Sequence, residues 1–308
     1  MTIYSGSTVS LTPLDPTTVL PPPVFADIKV ERLAELKRQL NAAGIPFDVD
    51  ALETDPDVIL NRVASGREDL VRHAIRDATL SRLLAFAQGL MLDRKGDMHA
   101  TARQALVADP RPYAEAPEDW EDDERYRRRI QLAPETFGGA GTAGMYEYHA
   151  KAASPDVRDA RVFVVNRGKV DVTVEVSIMA NTPTGEPSAE LMRTVRAHLL
   201  RDDIKLLTDA VQVRPARAVP YAVKATLLIA PGPDASIVRA NAVTALQTKA
   251  DDLRKIGRTV PHSAIVAALH VPGVDSAVQV MPAADIEPLR FQYGLLTDID
   301  LAVEVLRG

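Results

Sequence analysis

Six histidines are the first residues to weigh for chemistry: His73, His99, His149, His198, His262 and His270. A zinc site takes its ligands at short fixed spacings, because one metal must be reached from one helix face or hairpin. No HExxH pattern and no HxH pair occurs, and the eight-residue gap between His262 and His270 need not put them on one face. Each histidine therefore reads as a surface or packed side chain. Gly139, Gly141 and Gly144 spell GxGxxG. A dinucleotide fold needs a buried strand directly ahead of the first glycine. Here Arg129 to Pro134 and Glu135-Thr136-Phe137 precede it, and no Lys-Ser or Lys-Thr follows for a phosphate loop. The glycines read as a turn between two helices. The pairs Asp122-Asp123, Asp202-Asp203 and Asp251-Asp252 are adjacent residues, whereas acid–base catalysis needs carboxylates converging from separate elements. Asp298 and Asp300 offer a cation only two ligands. There is no GxSxG and no cysteine, so a thiol nucleophile, a thiolate metal site and a disulfide are all excluded. No catalytic, cofactor-binding or metal-ligating residue is assigned, and no cofactor is implied.

The elements that would have to position such residues follow from composition and periodicity. The chain has 308 residues, 46% hydrophobic and 25% charged, enough for two or three domains with real cores. Aromatic residues supply only 5%, so Leu, Val, Ile and Ala must fill those cores. A net charge of -6 disfavours nucleic acid as a general partner. No apolar run approaches the roughly 18–20 residues of a membrane span, and the first cation is Lys29, unlike a secretory signal.

Residues 1–25 read as an extended arm, with Pro13, Pro16 and Pro21-Pro22-Pro23 among Ser and Thr. Residues 26–112 read as a helical domain. Val30, Leu33, Leu36 and Leu40 form one stripe, Asp55-Pro56 is an N-cap signal, and a second stripe runs from Leu70 to Met91 over about six turns. That second stripe is wide enough to be buried against other helices. Residues 113–157 read as linker and central helices, where the acids of 118–124 precede Arg125, Arg127, Arg128 and Arg129 in the order a helix dipole favours. Residues 158–218 and 219–308 read as two tandem α+β domains. Val170 to Ile178 and Tyr221 to Ile229 alternate as half-buried strands. Each is followed by a Pro/Gly loop, a helix and a returning strand, Val211–Val213 and Ser276–Met281. The fold class is α+β: an N-terminal helical bundle region, then two small domains of sheet plus helix.

Several motifs then fall in an order that resembles one family. Glu53-Thr54-Asp55-Pro56, Gly66-Arg67-Glu68, Leu84 to Gly89 and Leu92-Asp93 are similar to the N-terminal part of Baseplate J-like proteins. Glu124 to Ile130 followed by Gly141 to Tyr148 resembles the family's central signature. Leu207-Thr208-Asp209, Pro231-Gly232-Pro233, Ser263-Ala264-Ile265 and Leu269 to Val274 continue the match, over about residues 20–285. Arg94-Lys95-Gly96 departs from the family's usual continuation after Leu-Asp, and the tail from Glu287 matches least. The resemblance implies a structural wedge protein of a contractile-tail baseplate, in a phage or a related injection device, located in the virion and assembled in the host cytoplasm. It implies a helical region that joins a partner wedge subunit and C-terminal domains that pair with neighbouring copies in a ring around the hub. Its partners would be other wedge proteins and the tail-fibre-connecting wedge subunit, without nucleic acid or membrane insertion. The residues alone leave two alternatives open: a nucleotide-binding enzyme on an α+β scaffold, and a cytosolic adaptor.

Overall fold

The computed structural model describes residues 15–47, 52–137, 141–165, 172–229, 232 and 234–306. The first fourteen residues of the expected arm, Gly139, Val170 and Pro231 with Pro233 lie outside them. The chain divides into two compact units. Among the described residues, one holds the chain up to Arg103 with Val107–Gln131, and the other holds Gln104–Leu106 and the chain from Leu132 on.

The first unit is helical. A short α1 (Pro16–Val19) precedes α2 (Phe25–Ala42) and α3 (Pro56–Leu80). Asp55 caps α3 by accepting from the Asp57 N–H, with Pro56 at the first helical position, as the sequence signal requires. The apolar run from Leu70 to Met91 is not one helix. The α-helix ends at Leu80, residues 81–88 turn, and α4 (Gly89–Asp97) starts afresh. Ala87 and Leu92 pack with Tyr126 and Ile130 of α5 (Asp123–Leu132), so the second half of the run serves a separate small core. Helix α5 carries Asp123 and Glu124 in its first turn and Arg129 in its last, the order that suits its dipole.

The second unit contains two three-stranded sheets. Helix α6 (Ala143–Ala152) leads into β1 (Val157–Val164), β2 (Val172–Ala180), α7 (Ala189–Leu199) and β3 (Asp209–Pro215). Strand β2 is central, antiparallel to β1 and parallel to β3. The inward side chains Val174, Val176 and Ile178 meet Tyr146 from α6 and Leu191, Val195 and Leu199 from α7. After Ala216 the chain runs directly into β4 (Arg217–Ile229), then α8 (Ala235–Leu253), α9 (His262–Leu269), β5 (Val274–Met281) and β6 (Gln292–Val305). Here β4 is central, antiparallel to β5 and parallel to β6 along its whole length. The apparent repetition in the sequence therefore hides two topologies. The first strand–helix–strand step is a parallel crossover, whereas the second is antiparallel and the parallel partner is β6, whose residues follow the matched motifs. The sheets meet through Met179, Ala216, Ile256 and Tyr293. The Tyr293 hydroxyl donates to the Thr184 carbonyl at 2.7 Å, and the buried Asp159 accepts from the Ile256 N–H at 3.0 Å and pairs with Lys151. Burial alone would raise the Asp159 pKa, but Lys151 and the Ile256 N–H hold it below the usual carboxylate range.

Candidate interaction surface

Helix α3 turns its polar side toward α2 and its apolar side away from it. Asn61 and Ser65 are buried, and Asn61 donates to the Lys29 carbonyl. One turn further on, Glu68 pairs with Arg32 at 2.7 Å and with Arg72 at 2.6 Å, and Arg72 also reaches Glu31 at 3.4 Å. Lys29 pairs with Glu53. From α2, Ile28 is buried, while Leu33, Leu36 and Leu40 are half-buried. The hairpin is thus held largely by charge-assisted hydrogen bonds with few apolar contacts. These pairs are accessible to water, and Arg32 and Arg72 draw the Glu68 pKa below its ordinary value.

The outer side of α3 carries Leu60, Val63, Leu70, Val71 and Ile75, each 57–65% exposed. Their spacing makes one stripe over more than four turns, with Ala64 and Ala74 between them. Scattered exposed apolar residues need no explanation, but a contiguous stripe of five does. The sequence reads the part of this stripe from Leu70 on as wide enough to be buried against other helices; among the described residues nothing covers it. The missed signal is the opposite face, where Asn61, Ser65, Glu68 and Arg72 recur at the same helical period and have charged counterparts on α2. A groove between the two helices, lined by Leu36, Leu60 and Ala64 and edged by Glu31, Glu35 and Asp57, borders the stripe.

The second charged feature is buried. Arg103, 4% exposed in its side chain, binds Asp93 and Asp123 and stacks over the rings of Tyr113 and Tyr126. Arg129 pairs with Glu121, and both side chains are almost wholly buried. Burial pushes the Tyr126 hydroxyl up to about 12, so it remains a donor, to the Thr101 carbonyl. The network ties α4, the loop after it and α5 together. Every acid in it faces an arginine, which leaves no carboxylate free to act as a base.

The other chemistry-bearing residues are dispersed. Asp122 caps the Arg125 N–H, Asp203 pairs with Arg201, and Asp251 with Arg158. Asp300 lies 3.6 Å from Lys224. Among the described residues no group of three or more metal-binding side chains comes together. His73, His262 and His270 each direct Nδ1 at a backbone carbonyl. His149 of α6 and His198 of α7 do meet, with ring centroids 5.6 Å apart. Burial first, and His198 next, press the His149 pKa down to about 4; burial and Arg201 lower that of His198. Gly141 lies just ahead of α6 and Gly144 in its first turn, and the described element before them is a 3-10 helix (Ala133–Thr136), not a strand. A Cβ on Gly141 would meet Leu206 at 2.7 Å, and one on Gly144 would meet Glu135 at 2.5 Å. These two glycines allow close packing, and their surroundings are not those of a dinucleotide loop.

Residues 138–215 match the family model described as the Baseplate J-like central domain. This span covers α6, the first sheet and α7. Over 236 residues the chain is 36% identical to baseplate protein J of Escherichia phage P2, an alignment that covers 76% of this chain and 77% of that protein.

Proposed function

The chain belongs to the Baseplate J-like family, and from that premise we propose that it is a wedge protein of a contractile tail, joined to a partner wedge protein through its helical unit. At the coarser level it is a structural component of a phage tail baseplate and part of the virion, in association with other baseplate components. The finer reading gives residues 26–112 to the partner bundle and residues 158–308 to contacts with neighbouring copies that close a ring around the hub. Residues 1–25 would serve as an arm that orders on a neighbour. The role is structural and not catalytic, and involves neither nucleic acid nor insertion into a membrane.

The observation that carries this reading is the outward stripe of α3. A helix that spends its polar face on α2 and leaves Leu60, Val63, Leu70, Val71 and Ile75 in water is built to be covered by another helix. The test is assembly. A phage lacking the gene is complemented with wild type or with the double variant Leu70→Asp, Val71→Asp, and particles are inspected by electron microscopy. We expect the variant to fold with an unchanged melting temperature and to give tails without baseplates. Intact baseplates from the variant would remove the helical unit from partner binding.

A further inference from the structure

Arg67 lies in the middle of the α3 stripe, between Val63 and Leu70–Val71, and is exposed. It makes no ion pair or hydrogen bond among the described residues, although most cations of the hairpin are paired. A helix that covers the stripe must also cover this guanidinium, and burying a cation without a partner costs far more than its apolar stem returns. Resting on the bundle reading above, we propose that the stripe receives an amphipathic partner helix with a single carboxylate at its centre, set opposite Arg67.

A second copy of the chain fits poorly. The stripe runs from Leu60 to Ile75, so an antiparallel pair that buries all of it is centred near residues 67 and 68 and sets Arg67 against Arg67. A parallel pair in register does the same. Glu68 is engaged by Arg32 and Arg72 and faces α2. Asp69 faces His73, and on α2 Glu31 and Glu35 are engaged by Arg72 and Arg38. The remaining acids of α3 are Asp57 and Asp77, near its two ends. Sliding an antiparallel copy until Arg67 meets Asp57 carries Leu70, Val71 and Ile75 beyond the end of the facing helix. Sliding it toward Asp77 strands Leu60. Charge and apolar cover are satisfied together only by a helix of different sequence.

The test uses two synthetic amphipathic helices with the same leucine stripe, one with Glu and one with Lys at its centre. Each is titrated into the full-length chain, and fluorescence anisotropy reads binding to wild type, Arg67→Glu and Arg67→Met. Wild type should prefer the Glu helix by at least about fivefold. Arg67→Glu should invert the order, and Arg67→Met should bind both equally. Equal affinities in wild type would overturn the role of Arg67 while leaving the bundle reading in place. Failure of both helices to bind any of the three chains would overturn the docking proposal outright, and the assembly experiment above then decides the bundle reading separately. Sedimentation of the wild-type chain covers the remaining occupant: a concentration-dependent dimer that Leu70→Asp dissolves would replace the acidic helix with a second copy.

Discussion

Leu227 on β4 and Leu70 on α3 are the same side chain, each in a strongly periodic segment, yet Leu227 is wholly buried and Leu70 is 63% exposed. Leu227 sits in a sheet whose covering helices, α8 and α9, come from the same chain a few residues later. Leu70 sits on a helix whose contacts with α2 are largely polar. The β4–β6 unit completes its core internally, whereas the α2–α3 hairpin has its apolar face still to be covered. Periodicity reports that a face will be buried and is silent on whether the cover belongs to the same chain.

The comparison breaks most visibly if the two leucines are truncated in parallel. Leu227→Ala removes buried methyl groups from a packed core and should destabilise the second unit by about 3 kcal/mol. Denaturant unfolding with hydrogen exchange at the β4 and β6 amides reads this directly. A loss below about 1 kcal/mol would mean that the core can collapse around the gap, and that the second unit is not the rigid half of the contrast.

Buried charge in the helical unit is a second place to press. Glu121→Gln leaves Arg129, whose side chain is 5% exposed, without its carboxylate, and should cost about 3 kcal/mol. Glu118→Gln removes only an exposed partner of Arg111 and should stay within about 0.5 kcal/mol. If both variants melt alike, the network around α5 is not the firm part of that unit, and the contrast with the loosely held hairpin disappears.

Acid sharpens the same comparison inside the second unit. His149 and His198 face each other across α6 and α7, with Tyr148, Arg201 and Asp203 the other titratable or charged groups nearby. The folded pKa of His149, about 4, lies below the unfolded value of about 6.5. Above pH 6.5 both states are neutral and the pair is silent. As pH falls from 6.5 toward 4 the unfolded chain takes up protons that the folded chain refuses, so stability declines. Discounted for partial exposure, the loss between pH 6.5 and 5 is about 1 kcal/mol. His149→Asn should flatten this slope in the first sheet's unfolding, while the exchange of α2 and α3 stays unchanged. Parallel slopes in wild type and variant would sink the assignment.

Much of this architecture was legible in the residues. Asp55-Pro56 marked the start of α3, and the alternations read over Val170 to Ile178 and Tyr221 to Ile229 marked the two central strands, Val170 itself lying outside the described residues. The α+β class followed, and the ordered motifs pointed to the family. What escaped has physical causes. Strand β1 (VRDARVFV) mixes charge into both faces because Asp159 and Arg158 serve the junction between the sheets. Strand β6 places Asp298, Asp300 and Glu304 on one face, and long-range pairing with β4 decides its state. The break after Leu80 lacks glycine or proline before Gly89, and it is set by Ala87 and Leu92 turning toward α5. As for the stripe, its position was readable but its exposure was not, since core and interface leucines look alike in sequence.

The smallest expected effect bears hardest on that point. Leu70→Ala in the isolated chain should change stability by no more than about 0.5 kcal/mol, because the side chain is mostly in water both before and after unfolding. The propensity of alanine in a helix offsets part even of that. The same substitution should weaken association with the Glu-centred helix used above by about tenfold or more, since truncating a fully covered leucine costs on the order of 1.5–3 kcal/mol. The ratio of the two effects is the quantity that separates the regions. For Leu227 the cost falls on folding, and for Leu70 it should fall on binding. A Leu70→Ala chain that unfolds as readily as Leu227→Ala would mean that the stripe is already covered in solution, and that α3 is an ordinary core helix.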